Sequence, residues 1–83
     1  MSLQSDAQKA LKLMNSGQWL QLEGSVGRWV QGFIDAGYLV QDYKKTYKHG
    51  PIIFRDGYGR INKQIWAKIN WDKVHDDEWG YNG

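Results

Sequence analysis

The sequence contains no cysteine. Neither a disulfide nor a thiolate metal site can therefore staple the fold, and a cysteine nucleophile is excluded. The lack suits a reducing compartment, and a cytoplasmic location is expected. Nowhere do about 18 apolar residues follow one another, the length that a membrane-spanning helix needs. The start shows no charged-then-apolar signal pattern, because Asp6, Gln8, Lys9 and Lys12 interrupt it. Phenylalanine occurs twice and proline once. Abundant instead are tryptophan and tyrosine, five of each, which give a chain of 83 residues a large apolar area per residue. That length makes one domain, expected over residues 1–75 with a loosely held acidic end at 76–83.

The net charge of +2 conceals a segregation. Residues 41–73 hold Lys44, Lys45, Lys48, Arg55, Arg60, Lys63, Lys68 and Lys73 against Asp42, Asp56 and Asp72, a local net of +5. Asp76, Asp77 and Glu78 then return three negative charges. Clustered basic residues point to a polyanionic partner, although a solvated lysine-rich surface reads the same way.

The chain opens with a predicted helix over residues 6–15. Ser5 and Gln8 have capping-box spacing, Ala7, Ala10, Leu11 and Met14 form one stripe, and Gly17 closes it. Residues 18–24 fit a short strand or a helical turn. Over residues 25–37, Val26, Trp29, Val30, Phe33 and Ile34 fall on a single helical face, with Ser25 as N-cap and Gly37 beyond the C-terminus. Tyr38, Leu39, Val40, Tyr43, Thr46 and Tyr47 are β-prone and predict a strand. His49-Gly50-Pro51 is a turn, and Ile52, Ile53 and Phe54 predict an antiparallel return strand. Residues 60–71 fit a helix on Ile61, Ile65 and Ile69, or a strand on Ile65, Ala67, Ile69 and Trp71. Length and Asn62 as a cap favour the helix.

A helix, a short connector, an amphipathic helix and a basic hairpin follow one another in the order of the winged helix-turn-helix. The passage Ser-Val-Gly-Arg-Trp-Val-Gln-Gly-Phe-Ile-Asp-Ala-Gly-Tyr-Leu-Val resembles the step from recognition helix to strand in that superfamily. The resemblance spans about residues 5–70. Within it the chain is similar to the small phage excisionases in length, in the Arg-Trp pair of the short helix and in the aromatic return strand. The resemblance implies an α+β winged-helix domain of two or three helices with a basic hairpin. It also implies a DNA-binding protein without catalysis, which bends DNA for a recombinase or acts as a repressor. The helix before the recognition helix is reduced here to Trp19–Leu22, and the recognition helix contains two glycines, Gly27 and Gly32.

In that setting Arg28 can bond guanine and Gln31 adenine on their major-groove edges, each worth about 1–3 kcal/mol of discrimination. Ser25, with the free amides of its helix start, can hold a phosphate. Lys44, Lys45, Lys48, Arg55 and Arg60 would contact phosphates over the wing at 41–60. Asp35 shares the face of Arg28 and works against an anion there. Tyr43, Tyr47 and Tyr58 suit either base stacking or cross-strand packing, the second being favoured. No serine sits in a nucleophile-elbow context, and Gly57-Tyr58-Gly59 is a turn without phosphate-loop spacing, so no enzyme, cofactor or metal is expected. The competing reading is a non-catalytic phage-type inhibitor or adaptor. It would bind a host enzyme through exposed aromatic and basic residues.

Overall fold

A computed structural model of the chain describes residues 2–17 and 24–81. The first helix, α1, is Leu3–Asn15, beginning three residues before the expected start. Ser2 is the cause: it is extended, and its hydroxyl accepts from the Ser5 amide at 3.1 Å. Ser5 thus donates to the cap instead of forming it. The earlier start puts Leu3 and Asp6 on the buried side with Ala7 and Ala10.

The second helix, α2, is Gly24–Asp35, so Ser25 lies inside the first turn and does not cap it. Its apolar stripe is as expected: Val30 and Phe33 are buried, while Val26, Trp29 and Ile34 are half-buried. Gly37, at φ +83°, lets the chain close the helix. The Tyr38 amide donates back to the Phe33 carbonyl (2.9 Å) and the Gly37 amide to that of Ile34 (3.0 Å), the Schellman pattern. The closure brings the Tyr38 ring to 6.0 Å from Phe33, which meets Trp29 edge-on at 4.9 Å.

After Tyr38 the structure departs from the expected pair of strands. The strand β1 is only Leu39–Gln41, and Tyr43–His49, expected as strand, is a helix, α3. Asp42 overrides the β-propensity of the tyrosines, its carboxylate accepting from the Lys45 amide at 3.0 Å. Gly50, at φ +80°, ends the helix and donates to the Thr46 carbonyl. Residues 60–71, expected as helix, form two further strands, β3 (Ile61–Gln64) and β4 (Ala67–Ile69). The return strand β2 (Ile52–Arg55) pairs antiparallel with β3, and β1 pairs antiparallel with β4. The four strands thus make one interrupted ribbon in which residues 42–51 stand opposite residues 65–66.

Trp66 fastens that interruption. Its amide donates to Thr46 Oγ1 (3.0 Å), its indole N–H donates to the Gly50 carbonyl (2.9 Å), and its carbonyl accepts from the Asp42 amide (2.7 Å). The Lys45 ammonium lies 4.1 Å above its ring. Helix α1 carries the ribbon in turn. Asn15 Oδ1 accepts from the Ala67 amide (2.9 Å), while Asn15 Nδ2 donates to the Ala67 carbonyl (3.1 Å). The Gln64 side chain donates to the Met14 carbonyl, and the Phe54 ring rests on Gly17.

The last elements among the described residues are α4 (Trp71–Asp77) and a 3-10 turn, Glu78–Gly80. The acidic end is thus structured through Tyr81. Val74 is fully buried, and the Tyr81 hydroxyl donates to Asp6 Oδ2 at 2.6 Å. The core gathers Leu3, Ala7, Ala10, Val30, Phe33, Leu39 and Val74 between α1, α2, β1 and α4. The domain is α+β, with four α-helices and two small antiparallel sheets among the described residues. No helix there is long and apolar enough to cross a membrane. Residues 18–23, with the expected connector of Trp19, Leu20 and Leu22, lie outside the described residues.

Candidate nucleic-acid interface

Ser25, Arg28 and Gln31 are all exposed on α2. The Gln31 amide donates to Asp35 Oδ1 at 3.0 Å, so the carboxylate on that face is held by a neighbour one turn away. Arg28 has no hydrogen-bond or ion-pair partner among the described residues.

The three lysines of the expected wing, Lys44, Lys45 and Lys48, sit on α3 and not on a strand. Lys45 is engaged over Trp66, whereas Lys44 and Lys48 are exposed and have no such partner among the described residues. The favoured cross-strand packing of Tyr43 and Tyr47 does not occur. Helix α3 leaves them 64% and 95% exposed.

Arg55 and Arg60 lie at the far end of the ribbon, where they hold the tip together. Arg55 Nη1 donates to the Gly59 carbonyl at 2.9 Å. Arg60 pairs with Asp56 at 3.4 Å and places its guanidinium 5.3 Å from the Tyr58 ring. Asp56 is the centre of the tip, accepting from Asn62 Nδ2 (2.9 Å) and from the amides of Tyr58 (2.9 Å) and Arg60 (3.0 Å). The Asn62 bond, followed by the Arg60 and Tyr58 amides, holds its carboxyl below the usual carboxylate range.

Two basic residues belong in the site that sequence reasoning left out of it. Lys63 on β3 and Lys68 on β4 are exposed and have no hydrogen-bond or ion-pair partner among the described residues. Alternation within a strand would have turned both outward. Lys63 stands opposite Ile53, and both Ile53 and Ile61 are exposed, at 64% and 63%.

The electrostatic outcome follows from where the acids go. Between residues 39 and 69 the carboxylates are those of Asp42 and Asp56, and each is turned onto backbone amides. Lys44, Lys48, Lys63 and Lys68 are left uncompensated around the ribbon. Among the described residues no hydrogen bond or ion pair joins them to Arg28 on α2.

The acidic end is organised differently. Asp77 accepts from Lys73 Nζ (3.0 Å) and from the Tyr38 hydroxyl (2.8 Å). The bond to Asp77 raises both Lys73 and Tyr38 above their ordinary values, while Lys73 first and Tyr38 second hold Asp77 below its own. His75 stacks on Trp71 at 5.8 Å, and its Nδ1 lies 3.4 Å from Gln4 Nε2. Among the described residues no three His, Asp or Glu side chains gather where a metal ion would fit. Comparison of the chain with protein-family models, with curated protein sequences and with solved structures finds no match in any of the three.

Proposed function

We propose that the chain is a small, non-catalytic protein of winged-helix type from a phage or mobile element that binds duplex DNA. Helix α2 meets the groove through Arg28 and Gln31, and the ribbon with α3 meets the phosphates. The observation that carries the reading is the uncompensated set Lys44, Lys48, Lys63 and Lys68, left free because Asp42 and Asp56 are consumed by backbone amides. The passage from α2 through Gly37 into an antiparallel ribbon supports the winged arrangement.

Phosphate binding releases counterions, with about 0.9 of salt slope for each phosphate neutralised. Four lysines on phosphates would give a slope near −3.6, or about 150-fold weaker binding when salt rises fourfold. Titrating a short duplex at 50 and 200 mM salt tests this, with a single strand of the same length beside it. Steeply salt-dependent duplex binding supports the reading. No binding at low salt removes it and favours a protein partner, for which exposed Ile53, Ile61, Tyr47 and Tyr58 would be the anchors.

A further inference from the structure

One cavity shares only Arg28 with that reading. It has a volume of about 350 Å³ and is lined by Arg28, Trp29, Gly32, Phe33, Tyr38 and Tyr81. The size is within the range of small-molecule sites, about 300–1,000 Å³. Its walls are four aromatic rings, and two of them are held from behind. The Tyr38 hydroxyl donates to Asp77 and the Tyr81 hydroxyl to Asp6, so neither ring is free to collapse into the space. Trp29 and Phe33 are locked edge-to-face.

The floor is Gly32. A glycine inside a helix costs about 0.5–1 kcal/mol relative to alanine. A Cβ at Gly32 would meet nothing within 4 Å, so no neighbour among the described residues requires the side chain to be missing. What its absence does is keep the cavity open. At the rim stands Arg28, exposed and unpaired among the described residues. Four aromatic walls alone would suit a quaternary ammonium as well as a flat ring, and the guanidinium decides against the cation.

We propose that this cavity binds a free planar aromatic anion, a one- or two-ring acid whose ring lies among Trp29, Phe33, Tyr38 and Tyr81 and whose carboxylate meets Arg28. The Tyr81 hydroxyl, pushed further up by burial, is uncharged at neutral pH and adds no opposing charge. Asp77, in an adjoining cavity that shares Tyr38 and Tyr81, is neutralised by Lys73.

The test needs no nucleic acid, so its failure and the failure of DNA binding are separate results. 1-Naphthoate is titrated into labelled protein while the assigned Trp29 indole N–H resonance is followed, with neutral 1-naphthalenemethanol and tetramethylammonium as comparisons. Both naphthalenes should shift Trp29 in a saturable way. Arg28→Gln should weaken naphthoate about tenfold and leave the alcohol within twofold. Gly32→Leu should abolish both, and Gly32→Ala, which makes the smallest change to the fold, should weaken both. The proposal is overturned if Gly32→Leu binds naphthoate like the unaltered protein, or if Arg28→Gln weakens acid and alcohol alike. It is equally overturned if tetramethylammonium takes the site in preference, or if naphthoate leaves Trp29 unmoved.

Discussion

Replacing Tyr81 by phenylalanine isolates one hydrogen bond that ties the end of the chain to its beginning. Asp6 is 2% exposed, and its side chain accepts a hydrogen bond from the Tyr81 hydroxyl at 2.6 Å. Among the described residues Asp6 has no other side-chain partner. A hydrogen bond to a charged group contributes about 1.5–3 kcal/mol, and its loss here leaves a buried carboxylate unsatisfied. For 83 residues the whole stability is about 4–12 kcal/mol, so this one hydroxyl carries a large share. Thermal and urea unfolding should show a loss of about 1.5–3 kcal/mol, or roughly 6–24 °C in Tm. Tyr58→Phe, at a residue that is 86% exposed, should change stability by less than about 0.5 kcal/mol. Adding Asp6→Leu to Tyr81→Phe should recover part of the loss, because the orphaned carboxylate is then gone.

The same bond has a pH signature. Burial first, and Asp6 second, push the Tyr81 hydroxyl up to about 12 from 10.0. Between those values the unfolded chain loses the proton and the folded chain keeps it, so stability falls as pH rises through that window. At 1.36 kcal/mol per unit the fall is at most about 2.7 kcal/mol, and Tyr81→Phe should remove it. A Tyr81→Phe protein as stable as the parent, with unchanged alkaline unfolding, would refute the reasoning.

Two glycines should respond in opposite ways. Gly17→Ala meets a positive φ and a Cβ placed 2.7 Å from Phe54, so it should lose at least about 1–2 kcal/mol in urea unfolding. Gly32→Ala meets neither and should gain about 0.5–1 kcal/mol. Asp56, held below the usual carboxylate range, stabilises the ribbon tip above its unfolded pKa and ceases to do so as pH falls through its folded value. Protection of the Tyr58 and Arg60 amides, taken relative to their intrinsic exchange rates, should therefore fall in acid, and Asp56→Ala should lower it already at neutral pH.

What the sequence disclosed depended on whether the deciding contacts were local. The stripe of α2 and its glycine closure are local, and both stand in the structure. Helix α3 was obscured because Tyr43, Thr46 and Tyr47 favour strands, whereas the Asp42 cap and the Trp66 clamp fix a helix, the clamp from 20 residues away in the chain. The Asp42 and Gly50 pair was visible as a cap at each end and carried the missed signal. Over residues 60–71, Asn62 suggested a helix cap but serves Asp56 at the hairpin tip. Strand pairing across 42–51 is non-local, and no pattern in either segment announces its partner. Of the candidate site, Arg28, Lys44 and Lys48 are exposed without a partner among the described residues, as a binding surface requires. Lys45, Arg55 and Arg60 have internal duties that charge counting could not reveal.

The central claim rests on the charges of the ribbon surface, and its most direct test is the salt dependence of duplex binding in a protein that lacks them. Lys44, Lys48, Lys63 and Lys68 changed together to glutamine should fold as before, since none has a hydrogen-bond or ion-pair partner among the described residues. Their loss should reduce the slope of log affinity against log salt by about 3.6, at about 0.9 per phosphate contact. A slope that stays at the parent value would contradict the claim.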